Sequence, residues 1–128
     1  MLTASSFDYT IVRLVPYVER EEFINVGVIL FCRTQRFLKV IIELDEARIK
    51  AIAPHCDLVR IKSHLKLLTR ICEGDPIHPI GQLDQAERFH WLVTPRSTTI
   101  QVSPVHTGLC HDPAATLDHL ISTIVRAS

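Results

Sequence analysis

Apolar residues recur at every second position through two runs near the start of the chain, and the strands they predict organise the rest of it. In the first run Phe7, Tyr9, Ile11, Arg13 and Val15 share one face, while Thr10, Val12 and Leu14 share the other. A strand that is largely apolar on both sides belongs in the middle of a sheet. In the second run Ile24, Val26, Val28 and Leu30 alternate with Asn25, Gly27, Ile29 and Phe31. Its β-branched residues favour a strand over a short helix, paired antiparallel to the first. The connection PYVEREEF is longer than a tight hairpin requires, and it gathers Glu19, Arg20, Glu21 and Glu22 beside the sheet. After the polar break RTQR, Leu38, Val40, Ile42 and Leu44 alternate with Lys39 and Glu43 in a third strand, hairpinned to the second.

The period then changes. Asp45 caps a short helix, DEARIKAIA, which must stop near Ala53 because a proline disfavours helical backbone in the residue before it. Asp57 caps a longer helix in which Leu58, Ile61, Leu65, Leu68 and Cys72 fall three or four apart, with Gly74 as C-terminal cap. Arg60, Ser63, Lys66 and Arg70 make a basic stripe on another of its faces, the ordinary solvated side of such a helix. DPIHPIG is a loop by its prolines and glycine, and it divides the chain into halves. LDQAERF forms a helical turn, and FHWLV and TTIQV predict a second hairpin around TPRS. SPVHTGLCHD reads as irregular and leads to Asp112 and Pro113, the start of a terminal helix with the stripe Leu117, Leu120, Ile121 and Ile124. The order βββααββα predicts a single α+β domain, with an antiparallel sheet of about five strands covered by helices on one face.

Composition narrows the function classes. With 128 residues, 47% of them apolar, the chain buries one core without staples. Fourteen basic and fourteen acidic residues cancel, so no global field draws in nucleic acid or an anionic membrane. The four cysteines are scattered, and Cys32 and Cys72 lie in apolar segments, as reduced buried thiols do. With no leader-like start and no long apolar run, a soluble cytoplasmic protein is expected. His55–Cys56 and Cys110–His111 are adjacent pairs and fit zinc knuckles poorly, and all four glycines stand alone, so neither a metal nor a nucleotide cofactor is implied.

The candidate chemistry centres on Arg13, a permanent charge carried on an apolar strand face. Glu21 and Glu22, returned by the antiparallel turn, are the nearest carboxylates to pair with it, as a register-fixing ion pair or as part of a ligand site. Asn25 and Gly27 share one face of the second strand, where a glycine marks either a close approach or a bulge. Arg96, Ser97, Thr98 and Thr99 offer donors for an anion at a hairpin tip, and His106 lies in the loop before the last helix. The expected binding residues are therefore Arg13, Glu21, Glu22, Asn25, Arg96, Ser97 and His106. Because a chain this short supports one core, Arg13, a glutamate and Arg96 are expected to meet in one pocket at one end of the sheet. No nucleophile, base and orienter can be assigned by spacing.

Two blocks of sequence carry a resemblance. Y-T-I-V-R-L-V-P followed by R-E-E-F-I-N-V-G-V-I-L-F, and then R-F-x-W-L-V-T-P-R-S with I-Q-V-S-P-V-H-T-G-L, resemble a family of short bacterial proteins known as domain of unknown function 3037. The likeness runs from about Phe7 to the terminal helix, and its pattern maps onto Arg13, Pro16, Glu21, Glu22, Asn25 and Gly27, then onto Trp91, Arg96, Ser97, His106 and Gly108. It implies no catalytic residues. Members are often encoded beside a kinase-like protein resembling the HipA toxin, which makes a HipA-like kinase the expected partner. Three functions then compete. The leading one is a non-enzymatic binding or accessory module. A hydrolase or phosphodiesterase-like enzyme would use Arg13, Arg96, His106 and a glutamate base on an anionic substrate. A nucleic-acid-binding module would use the basic helix stripe, against the neutral net charge.

Overall fold

In the computed structural model, which describes residues 3–95 and 99–126, strand β1 (Ser5–Leu14) lies inside a five-stranded antiparallel sheet. β2 (Ile24–Cys32) pairs along one of its edges and β3 (Phe37–Ile42) pairs beyond β2. β4 (Ile100–Val102) and β5 (His106–Cys110) share the other edge, from Leu14↔Ile100 to Ser5↔Cys110. They behave as one strand broken at a single point. There Ser103 takes over the ladder: its backbone N–H donates to the Ile11 carbonyl at 2.9 Å, and its Oγ accepts the Ile11 N–H at 2.8 Å. The Thr10 hydroxyl donates to the Ser103 carbonyl at 2.6 Å, so both buried polar residues of this row are satisfied. Pro104, without an N–H, could not have continued the pairing.

Helices cover both faces of the sheet, where the sequence pattern predicts one. On the first face α1 (Glu46–Ile52), α2 (Leu58–Glu73) and α3 (Gln85–Leu92) bury Ile49, Ile61, Leu65, Leu68, Phe89 and Leu92 against Val12, Leu14, Ile29 and Val40. On the second face α4 (Pro113–Leu120) runs into a π-helical turn at Ile121–Val125, and its Leu117 and Ile121 pack on Phe7, Val28, Leu30 and Cys32. The side chains of Asp45, Asp57, Asp84 and Asp112 cap the four helices, and Gly74 closes α2 in the left-handed region. Leu117 and Ile121 are fully buried and Leu120 only partly, so the seam of α4 is narrower than its sequence stripe.

Two expected elements differ. FHWLV is not a strand. It lies largely within α3, because the Asp84 carboxylate accepts the Glu87 N–H at 2.8 Å and starts a helix that buries Phe89 and Leu92, three residues apart. The second hairpin therefore does not form. The stretch read as irregular supplies β5 instead, with Gly108 beneath the Phe7 ring, where a Cβ would come within 2.8 Å of Cζ. The register also shifts between Val12 and Arg13, which pair with Gly27 and Asn25, so Val26 is the extra residue of a bulge. Asn25 consequently shares a face with Arg13 and Gly27 shares one with Val12, rather than the two lying together. The close approach at Gly27 is real: a Cβ there would sit 2.6 Å from Ile42 Cδ1 and 2.7 Å from the Ile41 carbonyl oxygen.

All four cysteines are free; Cys32, Cys72 and Cys110 are buried and Cys56 is partly exposed. Burial pushes the Cys72 thiol up to about 12. In the native protein at mildly alkaline pH, iodoacetamide is therefore expected to label Cys56 and to spare Cys72 until the chain unfolds. Peptide mass spectrometry reads this directly, and Cys72 labelled as fast as Cys56 would contradict its place under the sheet. Among the described residues no helix is long and apolar enough to cross a membrane.

Candidate binding site

α4 covers the part of the second face around Phe7 and Leu30, and it leaves Tyr9, Ile11 and Arg13 partly exposed further along β1. In the last row Arg13 stands between Asn25 on β2 and Gln101 on β4. Its guanidinium carbon lies 4.2 Å from the centroid of the Phe23 ring, and Phe23 is 48% exposed. A cation over an aromatic face is attracted by the ring quadrupole, so Phe23 supplies what the glutamates were expected to supply. Arg13 makes no ion pair among the described residues. Its Nε–H is buried and unpartnered, and so is the Oδ1 of Asn25 directly across the ladder.

The loop explains why the predicted Arg13–glutamate pair is absent. Val18–Arg20 form a 3-10 turn that ends at Glu21 in the left-handed region, φ 55°. That turn takes up the connection and leaves both glutamates in solvent. Glu22 pairs with Arg20 at 2.9 Å, and Arg20 also lies over the Tyr17 ring. Exposed pairs of this kind add little stability. Arg96 and Ser97, and with them the predicted meeting of Arg96 with Arg13, lie outside the described residues.

His106 belongs to this face but not to the same point. It pairs with Tyr9, four residues before Arg13, and its ring stacks on Tyr9 at 5.1 Å between centroids. Tyr9 in turn stacks on Phe7 at 6.0 Å. At a strand rise of about 3.3 Å per residue, Arg13 and the Tyr9–His106 pair are about 13 Å apart along β1. Each is held by its own aromatic ring, an arrangement suited to an extended contact surface rather than to one reacting atom.

Beside Asn25 a groove of about 760 Å³ opens between the end of β3 and the C-terminal turn, with Glu43, Leu44, Val125 and Arg126 among its walls. Arg126 donates from Nε and Nη2 to the two oxygens of Glu43, which ties that turn to the sheet. Those hydrogen bonds hold the Glu43 carboxyl below its ordinary 4.5. A group depressed in the folded state contributes above its unfolded value and stops contributing as pH falls through the folded one. Amide exchange in the Ile121–Val125 turn is thus expected to be independent of pH-driven opening above 4.5, apart from intrinsic rates, and to accelerate in acid below it. An equal loss of protection in Arg126→Gln at neutral pH would identify the pair as the cause.

Several contributors were not singled out from sequence. Phe23 closes the acidic loop, and an aromatic beginning a strand beside a strand arginine was the available signal. Gln101 sits in the alternating run that pairs with Arg13. Arg88 is a staple: it donates to the Leu83 carbonyl at 2.7 Å and to that of Cys72 at 3.4 Å, joining the end of α2 to the start of α3, while its own Nε–H, like that of Arg13, is buried without a partner. On α2 the stripe residues Arg60, Ser63 and Lys66 face solvent and Arg70 pairs with Asp75 at 2.7 Å.

The two sequence blocks meet along β1, where residues of the first face Gln101, His106 and Gly108 of the second. A family model described as "Protein of unknown function (DUF3037)" matches residues 9–125, which span both. No curated protein and no solved structure matches the chain.

Proposed function

The chain belongs to the family described as "Protein of unknown function (DUF3037)", and from that premise we propose that it is a non-enzymatic binding module of the cytoplasm that engages a protein partner through the uncovered end of its second sheet face. One observation supports this reading above the others: Arg13 and Asn25 stand side by side with a buried donor and a buried acceptor both unused, next to an exposed phenylalanine. Unsatisfied buried polar groups cost about 1–3 kcal/mol each, and a bound partner that satisfies them removes that cost at the interface. An arginine with an aromatic neighbour is the composition of an interface anchor. The partner proposed is a HipA-like kinase, the neighbour that the family resemblance implies. The separation of Arg13 from His106, with Glu22 occupied by Arg20, counts against the hydrolase reading.

Co-expression with the HipA-like kinase followed by affinity capture tests this. A complex at micromolar concentration that weakens at least about tenfold in Arg13→Met is the expected result, tenfold being about 1.4 kcal/mol. The absence of any complex would remove the kinase as partner. Folding should survive that substitution. Methionine is unbranched like the arginine stem and removes the orphaned Nε–H, so the unfolding free energy is expected to change by less than about 1 kcal/mol. Urea unfolding checks it, and a loss above about 2 kcal/mol would mean that Arg13 serves the fold.

A further inference from the structure

We infer that Arg13 and Asn25 together read the main chain of an extended peptide, one residue of which places its C=O on the Arg13 Nε–H and its N–H on the Asn25 Oδ1. The inference rests on the binding-module reading and names the chemistry its site selects. Arg13 and Asn25 are directly opposed on adjacent strands, which brings their Cβ atoms to about 4.5–5.5 Å. Neither atom has a partner and both are closed to solvent in the free protein, so a peptide reaches them only as the exposed Phe23 ring moves off the guanidinium. In an extended chain the N–H and C=O of one residue point to the same side, as they do in a hydrogen-bonded antiparallel pair. A donor and an acceptor side by side match that arrangement. They match an anion less well: an anionic phosphate oxygen accepts from Nε–H, but a second one would be set against the Asn25 carbonyl oxygen, and only a P–OH could donate to it. The surroundings fit the same occupant. Phe23 offers an exposed apolar ring on one side of the pair. The groove of about 760 Å³ that Asn25 helps to line, with Leu44 and Val125 in its walls, has room for the next side chain of a peptide.

The test uses the full chain labelled with nitrogen-15, reading the Arg13 Nε–H resonance by NMR. N-acetylglycine N-methylamide and inorganic phosphate are titrated separately, each against the wild type and against Asn25→Leu. The peptide should shift the Arg13 Nε–H saturably in the wild type, with affinity at least about tenfold weaker in Asn25→Leu, whose backbone spectrum should show the fold intact. Phosphate should shift it saturably in neither protein. Peptide binding unchanged by Asn25→Leu would overturn the inference, as would phosphate, but not peptide, saturating the Arg13 signal. So would a scalar coupling across a hydrogen bond between Arg13 Nε–H and the Asn25 side-chain carbonyl in the free protein. Affinity capture of the HipA-like kinase by the same two proteins separates the two proposals. Equal capture by wild type and Asn25→Leu leaves the binding module standing and removes the amide site. Peptide binding without kinase capture keeps the binding module and its amide site and removes the kinase as partner.

Discussion

Leu65→Ala and Leu117→Ala are each expected to lower the free energy of unfolding by about 2–5 kcal/mol, the range for deleting most of a buried leucine and leaving part of the cavity behind. Leu65 is 3% exposed on α2 and packs among Ile61, Leu68 and the strand residues of the first face. Leu117 is 0% exposed on α4 and seals the second face over Phe7, Val28 and Leu30. Because the sheet separates the two sites, their costs should add within about 0.5 kcal/mol in the double variant. Leu120→Ala should cost clearly less than Leu117→Ala, since Leu120 stays partly exposed. Urea unfolding of the four variants decides the matter. Leu117→Ala below about 1 kcal/mol would mean that α4 is not docked on the sheet.

Ser103→Ala is expected to cost about 1–3 kcal/mol although it removes only one oxygen. The Ser103 hydroxyl accepts the Ile11 N–H at 2.8 Å and donates to the Pro104 carbonyl at 2.9 Å, at the break between β4 and β5. Alanine would leave a strand N–H inside the sheet with no acceptor. The Ile11 amide should also lose exchange protection selectively, whereas a merely loosened edge would expose Tyr9 and Arg13 alongside it. Ser103→Thr keeps the hydroxyl and should retain that protection, even where its methyl perturbs the packing.

The sequence is most legible where the physics is local. The first three strands, the capped helices and the terminal helix were legible because alternation, Asp caps and the glycine stop act within a few residues. FHWLV misled because five residues cannot separate period two from one turn of helix, and the deciding cap, Asp84, stood upstream. β5 was missed because His106, Thr107 and Gly108 have little apolar content; their pairing with β1 is a long-range property. The same holds for the site. Arg13 and Asn25 were picked out by an unusual charge and a polar residue on apolar strands, and the structure places them together. That Phe23, rather than Glu21 or Glu22, would meet the guanidinium depended on a left-handed residue at Glu21, where no glycine announces one, and on a bulge at Val26, beside the Gly27 that marks a possible one in the sequence.

Hydrogen exchange of the chain, alone and in complex with the co-expressed HipA-like kinase, reads which surface the partner covers. Slowed exchange is expected in the segments 11–14 and 22–26, at the open end of the second face, with the outer surface of α2 unchanged. Slowed exchange confined to α2 around Arg60 and Lys66, with the Phe23–Asn25 segment exchanging as in the free protein, would contradict it.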